Sequence, residues 1–569
     1  MKKVLVLFLL SLVLVGSVFA QLARETRAVW LTTNFRLDWP PKTTNQQIQQ
    51  AELSNIINDI KKKKLNTLFF QVRSNGTTMF ESSFEPYSPY LTGKTGKMPD
   101  YDPLEEAIKL SRKRGLEIHA WVNVMRCFAG EELFILENPK HLFNTHRNWL
   151  VERKDDGRKA YWLDPGLPEV RNYLVELFAE IVKVYDIDGL HLDFIRYPGK
   201  DFADDFSYNL YGDGQSRDDW RRNNINLFIE QLNYRIKEIK PYIKLGVTPI
   251  GIYENIQGAR GLEGYSSVFQ DTRKWLKTGL IDYAVPQIYW NFKDNPKFDV
   301  LARDWQLNSY GRNMILGIAA YKPEVKAEIE NMIEYSRHIG AQGIAFFRYE
   351  HIKDYTFDSF DYYSYPAEMA WIDAVKPNPP FNLSYVIQDY DPFTLSLSWA
   401  QPKYNYNDAV TDYYALYSFP FDTAETDHKY LYDVVKATRD SLILSFGKPK
   451  RVNYHLALKS VDKLWNESEE TSNIVDITIP ELRRLIQNHS VFNKPALIRR
   501  NSGDVKLLLF ANNNEEIEIL GKNKNGLESI LTRDISFGKN IFSLQKNISN
   551  FDTLMIVYKK SGREVELKL

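Results

Sequence analysis

The sequence predicts an α/β protein in which a (β/α)8 TIM-like barrel precedes two small all-β sandwich domains. Between residues 21 and 375, eight short apolar runs alternate with helical patterns, and short alternating segments dominate beyond a proline-rich joint. Eight strands with crossover helices over about 350 residues match the strand count of a closed barrel. A doubly wound open sheet is the alternative, and no G-x-G-x-x-G follows a predicted strand to support a nucleotide-binding version of it.

The first twenty residues have the pattern of an export signal. Two lysines precede an apolar run from residue 4 to residue 15, and VFA at 18–20 fits the small-residue rule for cleavage. The run is too short for a permanent membrane anchor. The only cysteine, Cys127, is far from the cleavage point, so no lipid attachment is expected. We therefore expect a signal peptide at 1–20 and an unlipidated, periplasmic or extracellular protein without a transmembrane segment.

The barrel, assigned to residues 21–375, is predicted from the alternation of its elements. Its predicted strands are 28–32, 67–72, 117–122, 189–194, 244–248, 283–289, 315–319 and 343–347. Its predicted helices include 46–63, 103–114, 168–185, 218–240, 296–310 and 324–339. Pro168 suits the first turn of a helix, and Gly115 and Gly340 stand where left-handed caps end helices.

The composition changes at KPNPP, residues 376–380. Short alternating segments then predict a β-sandwich over 376–480. Trp399 and Tyr454 resemble the core tryptophan and tyrosine of fibronectin type III domains. Residues 481–569 contain four more alternating segments and are predicted to form a second small β-domain.

The composition excludes several classes of protein. Hydrophobic residues make up 44% and charged residues 26%, which is typical of a folded chain. Lys+Arg and Asp+Glu are both 73, so a generic nucleic-acid binder is excluded. One cysteine excludes a disulfide framework and a thiolate zinc site. We expect no cofactor and no metal, and the 14% aromatic content favours surfaces on which a ligand stacks.

The polar and aromatic residues that end the predicted strands are the candidate ligand contacts, because only the carboxyl ends of barrel strands face the active site. Period two directs His191 and Asp193 to the same side. Amides and carboxylates bind sugar hydroxyls while Trp and Tyr stack on sugar faces, so the expected ligand is a polysaccharide. The candidate substrate-binding residues are Arg73, Asn75, His119, Trp121, Asn123, Arg126, Asp164, His191, Arg196, Tyr197, Gln287, Tyr289, Trp290, Tyr321 and Arg348.

Glycoside hydrolysis needs two carboxyl groups. Asp193 is the first candidate, and nearby Arg196 is expected to keep its pKa low and leave it ionised as a nucleophile or stabiliser. Glu350, then Glu254, then Asp164 are the candidates for the acid partner, whose pKa should be raised. An ion pair that only orders a loop is the alternative for Asp193 and Glu350, and a turn cap is favoured for Asp164.

The chain resembles the family-ten glycosyl-hydrolase-like proteins of bacterial cell envelopes. The matching stretches are RAVWLTT at 27–33, DWP at 38–40, NTLFFQVR at 66–73, YLTGK at 90–94, YDPL at 101–104, RGLEIHAW at 114–121, LDPG at 163–166 and YDIDGLHLD at 185–193. The resemblance covers residues 25 to about 375 and implies a TIM-like barrel with glycosidase activity. It also implies a peptidoglycan substrate, particularly glycan strands stripped of stem peptides.

Two departures from the family pattern keep other functions open. Many members follow the strand-four aspartate with a second one, and here that residue is Phe194. The family's Asn-Pro-Tyr-Arg after strand three is NVMR at 123–126. The expected function is therefore a secreted hydrolase of an envelope polysaccharide, with two alternatives: a non-catalytic glycan-binding envelope protein, or a hydrolase of another polysaccharide such as an α-glucan.

Overall fold

The computed structural model describes most of the chain and builds it around one large parallel sheet. The described residues are 24–155, 157–390, 393–402, 409–419, 426–438, 440–445, 453–478, 495–499, 505–511, 514–536, 538–544 and 548–568. The signal peptide predicted for residues 1–20 lies outside them. Among the helices of this described part, none combines the length and the apolar character that crossing a bilayer would require.

Eight parallel strands close into a barrel, which confirms the predicted fold class. They are β1 Thr26–Leu31, β2 Thr67–Ser74, β3 Glu117–Asn123, β4 Gly189–Asp193, β5 Lys244–Val247, β6 Tyr283–Ala284, β7 Asn313–Ile318 and β8 Gly343–Phe346. Each strand pairs with the next along the chain, and β1 pairs with both β2 and β8, so the sheet has no free edge in the barrel.

A helix follows each strand, as the alternation predicted. These helices are α1 Gln46–Lys62, α2 Pro103–Lys113, α3 Pro168–Val184, α4 Arg217–Ile239, α5 Thr272–Lys277, α6 Phe298–Leu307, α7 Ile329–His338 and α8 Tyr349–Ile352. Polar side chains begin several of them: Asn45 accepts hydrogen bonds from two N–H groups of the first turn of α1, and Asp102 does the same for α2. The shorter helices in the loops are Pro89–Thr92, Leu142–Thr145, Asp205–Tyr211, Gly264–Ser267 and Pro323–Lys326.

A small antiparallel sheet is inserted between β3 and α3. Its strands are Arg126–Ala129, Leu150–Asp155 and Arg158–Leu163, with the last of them in the middle. Because it follows the carboxyl end of β3, this sheet stands beside the mouth of the barrel. The sequence analysis did not predict it.

Large rings fill the barrel interior, and glycines on the neighbouring strands make room for them. A Cβ atom on Gly189 would lie 2.4 Å from the His119 ring, and one on Gly246 would lie 1.9 Å from the Tyr283 ring. Trp30 and Phe69 pack in the same interior cluster, whose members include Met369 from the chain beyond β8. The barrel is therefore a packed core and not a pore.

We expect Gly246→Ala to destabilise the protein by about 1–3 kcal/mol, the usual range for overpacking. The new methyl group would collide with the Tyr283 ring, which the surrounding core holds in place. Gly264→Ala is the matched control, because the nearest atom to a Cβ there is 3.5 Å away. Chemical denaturation of the three proteins measures the difference, and equal midpoints would contradict the prediction.

Two pairs of antiparallel sheets follow the barrel. The first pair consists of Phe381–Tyr390, Phe393–Ala400 and Ser441–Ser445, facing Tyr413–Phe419, Leu431–Lys436, Asn453–Val461 and Val475–Thr478. The second pair consists of Ala496–Arg499, Val505–Ala511 and Gly538–Leu544, facing Glu515–Asn523, Gly526–Ile535, Thr553–Tyr558 and Glu564–Lys568. Each pair shares one apolar core, and Trp399 and Tyr454 lie in the first of them. The boundaries 376–480 and 481–569 and the fibronectin-like character remain predictions.

The first of these β-units contacts the amino-terminal side of the barrel. Arg112 of α2 donates hydrogen bonds to Asp188, just before β4, at 2.6 Å and to the Tyr413 hydroxyl at 2.5 Å. Lys463 forms an ion pair with Asp186 in the same region. These contacts lie at the opposite end of the strands from the residues predicted to bind substrate.

Candidate active site at the carboxyl ends of the barrel strands

Asp193 is the last residue of β4 and lies at the mouth of the barrel. The whole residue is only 8% exposed, so its carboxyl group is largely withdrawn from water. One carboxylate oxygen accepts a hydrogen bond from the Phe194 N–H at 2.7 Å, and the Gln287 amide nitrogen lies 3.5 Å from it. The chain therefore places one carboxyl group where a barrel enzyme performs its chemistry.

Burial raises the pKa of Asp193 above its ordinary value, although the Phe194 N–H, Arg126, Arg196 and the Trp121 indole favour the ionised form. The expectation that Arg196 would hold this pKa low is therefore wrong. The physical reason is that desolvation of the carboxylate outweighs the attraction of guanidinium groups that lie beyond ion-pair distance.

Aromatic residues form one wall beside Asp193. Tyr289 stacks on Phe347 with ring centroids 5.8 Å apart, and the Tyr321 ring packs edge-on against both. Burial raises the pKa of Tyr289, and the charge of Asp193 raises it further. Tyr321 is 43% exposed and Trp290 is half-buried, so this wall can offer ring faces to a ligand.

Two arginines and two aromatic rings form a second wall. Arg126 lies over the Phe194 ring at 3.6 Å, and Arg196 lies 5.3 Å from the Phe194 centroid and 5.4 Å from that of Trp162. Phe194 adopts a left-handed backbone conformation, with φ 52°, immediately after Asp193. Such conformations are costly for a residue with a side chain and concentrate at functional sites.

His119 and His191 lie below the mouth, inside the barrel, and their contact with substrate stays a prediction. Both are almost completely buried. Trp30 Nε1 donates to His191 Nε2 at 3.1 Å, so the proton of His191 is on Nδ1, which faces the Tyr283 hydroxyl at 3.2 Å. That hydroxyl lies 2.6 Å from His119 Nδ1, and His119 Nε2 lies 3.2 Å from Glu117. The histidines are satisfied members of a buried hydrogen-bond chain.

Arg73 and Tyr197 are also buried, and their contact with substrate stays a prediction. Arg73 forms a fully buried ion pair with Glu85 at 2.6 Å. The Tyr197 hydroxyl accepts a hydrogen bond from Asn224 at 3.4 Å beneath the loop after β4. Each polar group is neutralised or bonded within the protein.

Three other predicted contacts order the loops around the mouth. Asn75 donates to Asn34 at 2.8 Å and so joins the loops after β1 and β2. Asn123 accepts from Gln71 at 3.4 Å. Arg348 donates to the buried Asp38 at 2.6 Å. The structure thus gives them positioning roles, and direct contact of these residues with substrate remains a prediction.

The three candidates for the acid partner have different surroundings. Glu350 is paired with Lys353 at 2.7 Å and Glu254 with Arg273 at 3.5 Å, and both side chains are nearly half exposed. Asp164 is buried and accepts hydrogen bonds from Ser207 at 2.6 Å and from the Gly166 N–H at 2.8 Å, which is the predicted turn cap. Burial raises the pKa of Asp164 to about 6.

Comparison with known proteins identifies the family. The family described as glycosyl hydrolase-like 10 matches residues 25–335. The chain belongs to this family. It is 33% identical to glycosyl hydrolase YngK of Bacillus subtilis, over 77% of this chain and 97% of that protein, and 34% identical to glycosyl hydrolase DigH of Escherichia coli K12, over 54% and 76%. The catalytic domain of a β-amylase from Paenibacillus polymyxa aligns with 62% of this chain and 97% of its own, at 10% identity and a TM-score of 0.40.

Within the family fold, several residues around Asp193 were missed by the sequence analysis. Phe347 and Trp162 build the two walls, while Trp30 and Tyr283 support the floor. The inward alternation of β1 could have indicated Trp30, but Trp162 lies on the inserted sheet, for which no strand was predicted. In the described part of the chain, no cluster of three or more His, Cys, Asp or Glu side chains is placed to bind a metal ion.

Proposed function

We propose that this protein is an exported glycoside hydrolase that cleaves a cell-envelope polysaccharide, the glycan strands of peptidoglycan, with Asp193 as its central carboxyl group. The position of Asp193 carries the proposal: a largely buried carboxyl group ends β4 between an aromatic wall and an arginine wall. Membership of the glycosyl hydrolase-like 10 family supports the reaction class. The pattern at residues 1–20 supports export.

The raised pKa of Asp193 favours the role of proton donor. A general acid must hold a proton near the working pH and deliver it to the oxygen of the leaving sugar, and desolvation favours the protonated carboxyl group. Among the three candidates for the second carboxyl group, Asp164 has the buried surroundings and the raised pKa that catalytic acids and bases share. Glu350 and Glu254 are instead nearly half exposed, and they pair with Lys353 and Arg273.

Incubation of the purified protein with peptidoglycan glycan strands stripped of stem peptides tests the proposed function. We expect new reducing ends and shorter oligosaccharides, and no comparable release from an α-glucan. Hydrolysis of the α-glucan alone would show that the substrate is another polysaccharide and not peptidoglycan. Binding of glycan strands without turnover of any glycan would support the non-catalytic alternative, which the replacement of a second acid by Phe194 favours.

The raised pKa of Asp164 should make the stability of the protein depend on pH. Its folded pKa of about 6 exceeds the ordinary 3.8, so the native state retains a proton that the unfolded chain has lost. The free energy of unfolding should therefore fall as pH rises from about 4 to about 6, by about 3 kcal/mol from this group. Asp164→Asn should remove the decline, as measured by denaturation at several pH values. Ser207→Ala removes a hydrogen bond that favours the ionised form and should extend the decline to higher pH; an identical profile in all three proteins would contradict the prediction.

A further inference from the structure

Arg196 is a half-buried cation that the protein leaves incompletely satisfied. Its guanidinium group donates one hydrogen bond, to the Tyr197 carbonyl oxygen at 3.3 Å, out of the five N–H groups that an arginine carries. No carboxylate among the described residues lies within ion-pair distance of it. Asp193 and Asp155 act on it only through longer-range attraction.

The nearby carboxylates are already engaged elsewhere. Asp155 accepts hydrogen bonds from the Trp162 indole at 2.8 Å and from Arg153 at 2.9 Å. Asp193 accepts a hydrogen bond from the Phe194 N–H at 2.7 Å and forms no ion pair with Arg196. Arg196 therefore presents positive charge that neither carboxylate neutralises at contact distance.

The shape of the wall also suits a flat anion. Arg196 is held against the faces of Phe194 and Trp162, and Arg126 covers the Phe194 ring at 3.6 Å. These cation–π contacts hold the charged guanidinium group beside the two rings. A planar guanidinium edge pairs with a carboxylate through two parallel hydrogen bonds.

We propose that Arg196, assisted by the charge of Arg126, forms a subsite for a carboxylate on the sugar substrate. The substrate class is then an acidic glycan, whose carboxylate belongs either to a uronic acid or to the lactyl ether of muramic acid. This inference rests on the proposed function in that it places the subsite beside Asp193. A neutral glycan would leave the Arg196 donors without partners and would bind more weakly.

Binding to the full chain tests the subsite, with Asp193→Asn in the background to prevent turnover. Calorimetry compares two ligand pairs: peptide-free muramic-acid oligosaccharides with free carboxylates or with the same groups as carboxamides, and oligogalacturonates with free or methyl-esterified carboxylates. We expect the free acid of one pair to bind about ten- to a hundredfold more tightly than its neutral partner. The pair that shows the preference identifies the source of the carboxylate.

Three variants assign the preference to a residue. Arg196→Gln should abolish it, and Arg196→Lys should retain only part of it because lysine keeps the charge without the planar donor edge. Arg153→Gln is the matched control and should retain the preference, since Arg153 is already paired with Asp155 and Asp201. Melting temperatures establish that each variant is folded. If Arg196→Gln does not fold, the partial loss of preference in Arg196→Lys tests the subsite by itself.

The outcomes separate the subsite from the proposed function. Three results would overturn the subsite. They are equal affinity for acid and neutral ligands, no binding of any acidic ligand, and an undiminished preference in the Arg196 variants. The parent protein could hydrolyse peptide-free strands while the free acid and the carboxamide bind with equal affinity. That result would retain the proposed function and exclude the subsite. A preference confined to oligogalacturonates would keep the subsite and overturn the peptidoglycan substrate.

Discussion

Asp193→Asn should reduce the hydrolysis of glycan strands by about two to four orders of magnitude, the range typical of a lost general acid or base. Asparagine preserves the size of the side chain and can still accept the hydrogen bond of the Phe194 N–H. It cannot deliver a proton to the leaving sugar. The rate of release of reducing ends by the two proteins measures the effect, and equal rates would remove Asp193 from the mechanism.

The leaving group distinguishes a proton donor from a nucleophile. An aryl glycoside with a very acidic phenol needs no protonation, so Asp193→Asn should lose much less activity on it than on the glycan if Asp193 is the acid. A similar large loss on both substrates would assign Asp193 as the nucleophile instead. Glu350→Gln and Glu254→Gln are matched carboxylate controls. We expect each to cost less than about fivefold, because both glutamates are nearly half exposed and already paired, with Lys353 and Arg273.

The barrel was predictable because its signal is local. Period-two apolar runs, Pro at the start of α3 and Gly after α2 mark strands and helices within a few residues. The largest difference is β6, predicted over 283–289 and found at Tyr283–Ala284. Pro286 explains it, because proline has no N–H to continue the ladder, and beyond it only Gln287 bridges to neighbouring strands.

The depth of a residue along its strand was harder to predict than the side on which it lies. Period two correctly places His191 and Asp193 on one side, but two residues advance a strand by about 6.6 Å. That distance separates the buried floor from the mouth, so His191 belongs to the core while Asp193 meets the site. The sequence contains no marker of where the floor ends.

Other features of the site depend on partners that are distant in sequence. Arg73 ends β2 and so has the position of a ligand contact, yet Glu85 in the following loop neutralises it in the core. The inserted sheet after β3 brings Trp162 against Phe194, with centroids 5.8 Å apart. Neither pairing follows from local pattern, because each depends on how a loop folds back over the barrel.

Lys244→Met should destabilise the protein by about 3–5 kcal/mol, because it leaves a charged group without its partner in the barrel core. Lys244 of β5 forms an ion pair with Glu117 of β3, and both side chains are at most 2% exposed. Burial alone would raise the pKa of Glu117, but Lys244 and His119 hold it below its ordinary value. The glutamate therefore relies on the lysine, and through His119 it also terminates the hydrogen-bond chain beneath Asp193.

The double variant Lys244→Met, Glu117→Leu should recover much of the lost free energy of unfolding, because no uncompensated charge then remains, although His119 loses a hydrogen-bond partner. Arg235→Met is the matched surface control: Arg235 pairs with Glu176 on the exterior, where both side chains are well exposed, and its loss should change stability by less than about 1 kcal/mol. Denaturant unfolding of the four proteins measures these differences. A Lys244→Met protein as stable as the parent would show that Glu117 can remain in the core without a compensating cation, and the hydrogen-bond chain under Asp193 would then need no anchoring ion pair.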